Sequence, residues 1–250
     1  MICRTILPII ISHGVPKSAS SFLWQNAKEA INLHNKTLPK IKLNHPDYLN
    51  KINQEDIDSI LEKIKDKNFC SIIKYHNKPF EGMKKYIDQN KILAFTSTRD
   101  PRDIALAFID AGKKERKLKN YRHFYKFETL DQTVKNIKNN YKHLKFWLEL
   151  DILCIPFSLI SINRYKSVNI LLKYLNFSFY GDIVFKKFSE KNNNSILEFN
   201  KGINKRYVNE ISKTDLDFLN SAFEEEIALY KKVEKNFYYK NNLVSLYYSL

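Results

Sequence analysis

The segment at residues 12–22 has the residue types that could hold a phosphate group. It lies between a β-branched apolar run and an amphipathic run, and Lys17 stands in it among small hydroxyl residues. A loop that joins a strand to a helix offers backbone N–H groups and the positive end of the helix dipole, and both attract anions. The segment is not a Walker A motif, because the second glycine that should precede the lysine is missing. The alternative is an ordinary helix start capped by Ser20 or Ser21.

Lys74 and His76 could supply a cation and a proton acceptor. They follow an apolar run and lie two residues apart, so on an extended chain both side chains point to the same face. A histidine at the carboxyl end of a strand is well placed to act as a general base. A lone histidine is equally consistent with an ordinary surface position. Of the other histidines, we expect four to be surface residues: His34, His45, His123 and His143.

Arg99 could bind a second anion. It is followed by Asp100 and Pro101, which suit the N-cap and the first position of a helix. Arg99 would therefore lie between the carboxyl end of a strand and a helix N-terminus, where open α/β sheets bind ligands. The alternative is an arginine that simply pairs with Asp100 or Asp103.

The elements that must position these residues alternate along the chain. Short apolar or β-branched runs predict strands over Ile9–Ser12 and over residues 69–75, 92–97 and 156–162. Amphipathic runs, with apolar residues three and four apart, predict helices between and after them. This alternation predicts an α/β fold with a mostly parallel central sheet and helices on both faces. Residues 181–205 are polar and rich in asparagine, and we interpret them as a long loop that covers a ligand.

Taken together, the three segments resemble the motifs of sulfotransferases that use 3′-phosphoadenosine 5′-phosphosulfate (PAPS). Pro-Lys-Ser-x-Ser-Ser-Phe follows the first strand, Lys-x-His the second and Arg-Asp-Pro-Arg-Asp the third, which is the order in that family. The resemblance runs from about residue 6 to residue 230 and is strongest before Gly112. It implies a P-loop-like sulfotransferase fold, with a late Phe-Asn-Lys-Gly segment at residues 199–202 that closes over the nucleotide.

The resemblance also implies a role for each site residue. The first loop would hold the 5′-phosphosulfate, Arg99 would hold the 3′-phosphate, and His76 would accept the proton of the acceptor. Lys17 would stabilise the leaving phosphate, and Lys74 would balance charge on the transferring group. The implied reaction needs no metal, and its nucleotide product is 3′-phosphoadenosine 5′-phosphate (PAP). The implied nucleotide-binding residues are Pro16, Lys17, Ser18, Ala19, Ser20, Ser21, Phe22, Arg99, Asn200, Lys201 and Gly202.

Several positions depart from the family's pattern. Ala19 stands where the family has glycine, and Phe22 stands where it has tryptophan. Alanine is a mild replacement if the backbone at that position keeps a negative φ. Asn200 replaces an arginine that would contact a phosphate, and Ala107 replaces a serine that is common in the family.

Length, composition and charge limit the classes of protein that are possible. The chain has 250 residues, with 42 basic and 27 acidic side chains and a formal net charge of +15. We interpret this charge as a bias toward lysine on solvated faces, because the lysines form no patterned surface. The apolar stretches are far shorter than the roughly 20 residues that span a bilayer. The three cysteines contain no CxxC pair. We therefore expect one domain over residues 1–250, a cytoplasmic location and no membrane span.

The expected activity is sulfuryl transfer from PAPS to a hydroxyl or amine of a small-molecule or carbohydrate acceptor, with no specific nucleic-acid partner. Two alternatives remain. One is a divergent P-loop nucleotide kinase, which would depend on Mg²⁺. The other is an inactive scaffold that binds nucleic acid through its basic surface, which would show a steep salt dependence.

Residues 113–127 interleave lysines and arginines with aromatic residues, among them Phe124 and Phe127. We consider two roles for this segment. It could be an exposed helix end whose aromatic residues join the core. It could instead form a wall of the acceptor site, because it follows the helix that begins at Arg99.

Overall fold

A parallel sheet lies at the centre of the fold. The computed structural model describes residues 9–35, 48–49, 51–65, 70–119, 123–178, 181–192, 202–243 and 246. Within these ranges the strands are β1 Ile9–Ser12, β2 Tyr48–Leu49, β3 Ser71–Tyr75, β4 Ile92–Thr98 and β5 Leu153–Pro156. Their order across the sheet is β2-β3-β1-β4-β5, and each neighbouring pair is parallel. The predicted α/β class with a parallel central sheet is therefore confirmed.

Helices cover both faces of this sheet. They are α1 Ser20–Asn35, α2 Gln54–Lys65, α3 Met83–Asp88, α4 Pro101–Lys117, α5 Leu130–Leu148, α6 Phe157–Ile162, α7 Arg164–Tyr174, α8 Gly181–Asn192, α9 Tyr207–Glu210, α10 Lys213–Ala222 and α11 Glu224–Lys240. On the central strand β1, Ile10 packs in a cluster with α1, α7 and α8, whereas Ile9 and Ile11 pack with α2, α3 and Trp147 of α5. Because successive strand residues point to opposite faces, these two clusters are the two sides of the sheet.

The junction between β4 and α4 forms as the sequence predicts. The Asp100 carboxylate accepts a hydrogen bond from Arg102 N at 3.0 Å, and Pro101 occupies the first helical position. A proline is tolerated there because the first turn of a helix leaves its N–H groups unpaired. This cap places Arg99 at the carboxyl end of β4, directly before the helix. Ala107 lies further along α4 and is fully buried.

The predicted fourth strand at residues 156–162 is wrong. The strand β5 ends at Pro156, and the apolar residues Phe157–Ile162 form the short helix α6 instead. A short, continuous apolar run fits a buried strand and a buried helix equally well, so its periodicity could not separate the two.

The predicted long loop at residues 181–205 is wrong in its first half. Residues 181–192 form α8, and residues 193–201 lie outside the described part of the chain. On this helix Val184 is fully buried, whereas Asp182 and Lys186 are exposed. Its apolar stripe is too narrow to stand out in so polar a sequence. Across the described ranges, no helix is both long enough and apolar enough to cross a membrane.

Candidate active site

The loop between β1 and α1 is held tightly against β4. Gly14 packs so closely that a Cβ atom there would lie 2.3 Å from the Cβ of Ser20. The Ser18 hydroxyl donates to Val15 O at 2.6 Å and is hydrogen-bonded to Ser97 Oγ at 2.7 Å. Ser18 is fully buried, so its hydroxyl fixes the shape of the loop.

Two residues of this loop have left-handed backbone conformations. The φ angles are 65° at Lys17 and 67° at Ala19. A residue with a Cβ atom pays about 1–2 kcal/mol in this region, and glycine avoids that cost. The condition under which alanine would be a mild replacement for glycine is therefore not met. In this conformation the Lys17 Nζ atom lies 4.2 Å from the centroid of the Phe124 ring.

Parallel pairing of β1 with β3 brings Lys74 and His76 to the same loop. Ser12 lies opposite Lys74 in the register, and the carboxyl ends of parallel strands meet at one edge of a sheet. Lys74 is 8% exposed, and its Nζ donates a hydrogen bond to Ser21 Oγ. His76 Nδ1 donates to the carbonyl oxygen of Gly14 at 2.8 Å. The second motif is thus fastened to the first at two points.

The hydrogen bond to Gly14 determines which ring nitrogen of His76 carries the proton. A carbonyl oxygen can only accept, so Nδ1 is protonated in the neutral ring and Nε2 has the lone pair. The pKa of His76 is lowered from 6.5 to about 4, chiefly by burial; the hydrogen bond to Gly14 opposes the shift, and the charge of Lys74 contributes to it. At neutral pH the ring is therefore uncharged and can accept a proton at Nε2.

Arg99 joins the first loop to a late segment of the chain. Its side chain is 2% exposed, its Nη1 donates to Lys17 O at 3.3 Å, and its Nη2 donates to Ile203 O at 2.8 Å. The guanidinium also pairs with Asp103 at 3.3 Å and lies 3.9 Å from the centroid of the Phe157 ring. Its Nε has no hydrogen-bond partner in the described ranges. Arg99 therefore pairs with an aspartate, as the simpler alternative predicts, and contacts two other motifs as well.

The late segment packs on the first turn of α4. Asp103 accepts hydrogen bonds from the backbone N–H groups of Lys205 at 2.9 Å and Tyr207 at 3.3 Å. Gly202 lies just before them with a φ of 69°, which glycine adopts without strain. Two predicted nucleotide-binding residues lie outside the described ranges: Asn200 and Lys201.

The remaining predicted nucleotide-binding residues differ in exposure. Pro16 is half-buried, Ser20 is almost fully buried, and Phe22 is 2% exposed. Phe22 packs in the hydrophobic cluster with Ile10 and α7, so its ring contributes to the core. Its contact with a nucleotide stays a prediction.

Two histidines beside His76 belong to no recognisable motif. His13 is 1% exposed, its Nδ1 is hydrogen-bonded to Thr96 Oγ1 at 2.8 Å, and its ring stacks on Trp147 with centroids 5.1 Å apart. His143 is half-buried, and its Nδ1 donates to His76 O at 3.4 Å. His143, which was expected at the surface, is thus partly covered, because its ring lies against the end of β3. His13 could have been found from its place in the sequence, because it directly follows β1 and so lies at the sheet edge where the three motifs meet.

These three imidazoles form a cluster. Burial lowers the pKa of His13 well below its ordinary value, and the neighbouring His76 and His143 lower it further. Burial also lowers the pKa of His143. His123 is exposed, as predicted. The side chains of two other predicted surface histidines lie outside the described part of the chain: His34 and His45.

Comparisons with known proteins identify the fold. No protein-family model and no curated protein matches the sequence. Mouse sulfotransferase SULT7A1 in complex with PAP is 17% identical, with a TM-score of 0.57 over 92% of this chain and 89% of that chain. Retinol dehydratase with androsterone and the inactive cofactor PAP is 11% identical, with a TM-score of 0.54 over 87% and 80%. Retinol dehydratase with retinol and PAP is 11% identical, with a TM-score of 0.52 over 88% and 81%.

Similarity to these structures extends over most of both chains in each case. At such low identity it concerns the path of the backbone and not the activity. Together with the order of the three motifs, it establishes that this chain has the fold of the PAPS-dependent sulfotransferases.

Proposed function

We propose that this protein transfers a sulfuryl group from PAPS to a hydroxyl or amine group of a small-molecule or carbohydrate acceptor. The observation that carries the proposal is the meeting of three motifs at one loop. Arg99 donates to Lys17 O, Lys74 donates to Ser21 Oγ, and His76 donates to Gly14 O. Solved structures of the same fold contain PAP, which is PAPS without its sulfuryl group.

The residues of the site fit a nucleotide with phosphate groups at two positions. The β1–α1 loop and the N-terminus of the 16-residue helix α1 suit the 5′-phosphosulfate, with Lys17 as the cation. Arg99 suits the 3′-phosphate, because its buried Nε lacks a partner in the described ranges and a guanidinium binds phosphate strongly. The residues proposed to bind the nucleotide are Pro16, Lys17, Ser18, Ala19, Ser20, Ser21, Phe22, Arg99, Asn200, Lys201 and Gly202.

His76 is the proposed general base. Its Nε2 takes the proton from the acceptor as the acceptor oxygen or nitrogen forms its bond to sulfur. A base with a pKa of about 4 is weak. The negative charge of a bound phosphosulfate raises that pKa toward neutrality, because an adjacent anion favours the protonated ring. The proton affinity of His76 therefore increases when the substrate is in place.

Lys17 and Lys74 are proposed to stabilise charge during the transfer. PAPS supplies a sulfuryl group whose bond to the 5′-phosphate oxygen breaks as the new bond to the acceptor forms. Negative charge then grows on the phosphate oxygen, where the Lys17 ammonium stabilises the transition state more than the bound substrate. Lys74 is held next to Ser21 and balances charge on the sulfuryl oxygens.

The experiment is a transfer assay with radiolabelled PAPS and a panel of phenol, sterol and sugar acceptors. We expect at least one labelled product, formed without added metal and not by a Lys17→Ala variant. Transfer from ATP that requires Mg²⁺ would instead support the kinase. Affinity for RNA or DNA that falls steeply with salt, without turnover of PAPS, would support the inactive scaffold.

A further inference from the structure

The turn at residues 123–127 delivers an aromatic ring to the proposed catalytic lysine. The Nζ of Lys17 lies 4.2 Å from the centroid of the Phe124 ring, within the range of a cation–π interaction. Phe124 is half-buried, and its ring also meets the Phe108 ring edge to face, with centroids 5.0 Å apart. The ring is thus supported by the core on one side and contacts the lysine on another.

Polar contacts from α4 hold the backbone of this turn. One carboxylate oxygen of Glu115 accepts hydrogen bonds from the N–H groups of both Phe124 and Tyr125 at 2.9 Å. Arg116 Nη1 donates to Tyr125 O at 2.5 Å and to Phe127 O at 3.1 Å. Glu115 is 8% exposed, so its two bonds to the turn are shielded from water. These bonds hold the backbone from which the Phe124 ring extends.

Gly112 allows the turn to approach α4. A Cβ atom at this position would lie 2.6 Å from Phe124 O and 2.5 Å from Phe127 O, closer than a Cβ atom can approach backbone oxygen. The turn is therefore anchored in three ways. It packs closely on Gly112, its backbone is hydrogen-bonded to Glu115 and Arg116, and the Phe124 ring packs on Phe108. Because the turn is anchored at these points, the position from which Phe124 contacts the first loop is well defined.

We infer that Phe124 is a positioning residue, whose ring orients the Lys17 ammonium for sulfuryl transfer. This inference rests on the proposed function. A lysine side chain has four flexible carbons, so an unsupported ammonium samples many positions. If the ammonium is already held beside the leaving phosphate oxygen, less conformational entropy is lost when the transition state forms. Two roles were considered for residues 113–127, and Phe127 joins the core as the first of them predicts. The inference gives Phe124 a role on Lys17, which its ring contacts.

Phe124→Leu removes the π face and keeps an apolar side chain. We expect kcat for PAPS consumption, measured as release of PAP and inorganic sulfate with water as acceptor, to fall about fivefold to thirtyfold. KM for PAPS and the Kd of PAP should stay within about twofold, because the phosphate contacts remain. Phe124→Trp should restore kcat, since tryptophan binds cations best among the aromatic residues. Phe127→Leu is the matched control, because Phe127 packs on the same Phe108 ring 5.0 Å away and belongs to the same turn.

A second readout does not depend on activity. Protons on the ε-carbon of Lys17 should be shifted upfield by the ring current of Phe124 in a ¹H–¹³C NMR spectrum of the whole chain with labelled lysine. The signal is assigned by its loss in Lys17→Arg. The shift should vanish in Phe124→Leu and persist in Phe127→Leu.

The outcomes separate this inference from the proposed function. If the unmutated protein neither binds PAP nor consumes PAPS, the proposed function fails, and the positioning role fails with it even where the NMR shift shows the contact. If the unmutated protein is active, an unchanged or higher kcat in Phe124→Leu overturns the inference. Equal losses of kcat in the two leucine variants, or an unshifted Lys17 signal, overturn it as well.

Discussion

At the scale of single residues, His76 has the protonation state that its proposed role requires. The Gly14 carbonyl holds the proton on Nδ1, and burial keeps the ring uncharged at neutral pH. Its position after the second strand is what the sequence predicts. The tautomer could not be predicted, because it depends on the carbonyl of Gly14, 62 residues earlier in the chain. The lowered pKa could not be predicted either, because it depends on how deeply the folded chain buries the ring.

His76→Ala should separate chemistry from binding. Removing a general base costs about 10²-fold or more in kcat, whereas the nucleotide keeps its phosphate contacts. We expect that loss for the acceptor identified in the transfer assay, with the Kd of PAP unchanged in calorimetry. The melting temperature of the variant shows whether loss of the bond to Gly14 disturbs the loop. A variant that keeps near-normal turnover would remove His76 from the role of base.

The buried His13 predicts how stability responds to acid. Its folded-state pKa lies well below 6.5, so between pH 6.5 and that lowered value the unfolded chain binds a proton that the folded chain refuses. Stability contributed by the neutral ring is therefore present above pH 6.5 and is lost as the pH falls. One such group contributes up to about 1.4 kcal/mol per pH unit to the slope of the unfolding free energy.

His13→Gln should reduce that slope in urea titrations at pH 7, 6 and 5. The absolute stability also drops, since the contacts with Thr96 and Trp147 are lost, so the slope is the diagnostic quantity. His123→Gln, at an exposed position, controls for the removal of one histidine. If the slope were identical in His13→Gln and the unmutated protein, His13 would not be the group that makes stability depend on pH.

At the scale of elements, sequence patterns predict the junctions that carry the site better than the elements around it. β1, β3, β4 and the capped start of α4 agree with the predictions, because alternating runs and an Asp-Pro cap have a local physical cause. α6 and α8 do not, because an apolar run is ambiguous and a narrow stripe is lost among polar residues. Whether these two segments form helices depends on how they pack against the sheet, and that packing involves residues distant in the sequence.

The β1–α1 loop stores strain at Ala19. Because its φ is 67°, Ala19→Gly should stabilise the protein by about 0.5–1 kcal/mol, the relief of the left-handed conformation less the entropy that glycine adds to the unfolded chain. Urea unfolding measures the change. Ala111→Gly, the same substitution within the regular helix α4, should destabilise by a similar amount. If Ala19→Gly instead lowered the free energy of unfolding as much as Ala111→Gly does, Ala19 would not be strained.

At the scale of the whole molecule, the site depends on contacts that join distant parts of the chain. The sequence predicts three motifs and their order, but their convergence requires the register of β1 with β3 and β4. The contact between Arg99 and Ile203 spans 104 residues, and no local pattern indicates it. Residues 199–202 are predicted to close over the nucleotide, and residues 199–201 lie outside the described ranges. The residues that follow contact the site: Ile203 contacts Arg99, and Lys205 contacts Asp103.

Arg99 should carry most of the recognition of the 3′-phosphate. By the resemblance to the sulfotransferases, Asn200 stands in place of an arginine and Ala107 in place of a serine, so we expect fewer other contacts to this phosphate. Arg99→Ala should bring the Kd values of PAP and AMP close together in calorimetry. Arg102→Ala is the matched control, because Arg102 is a buried neighbour that pairs with Asp100 and Asn220. If Arg99→Ala keeps the full preference for PAP, the 3′-phosphate is bound elsewhere.

The most direct test of a PAPS-type nucleotide site is a calorimetric comparison of PAP and AMP on the unmutated protein. The two ligands differ only in the 3′-phosphate. A charge-assisted hydrogen bond to that group contributes about 1.5–3 kcal/mol, so we predict that PAP binds at least about tenfold more tightly than AMP. Equal Kd values for the two nucleotides, or no binding of PAP, would show that the site does not recognise the 3′-phosphate. That result would contradict the proposed sulfuryl transfer from PAPS.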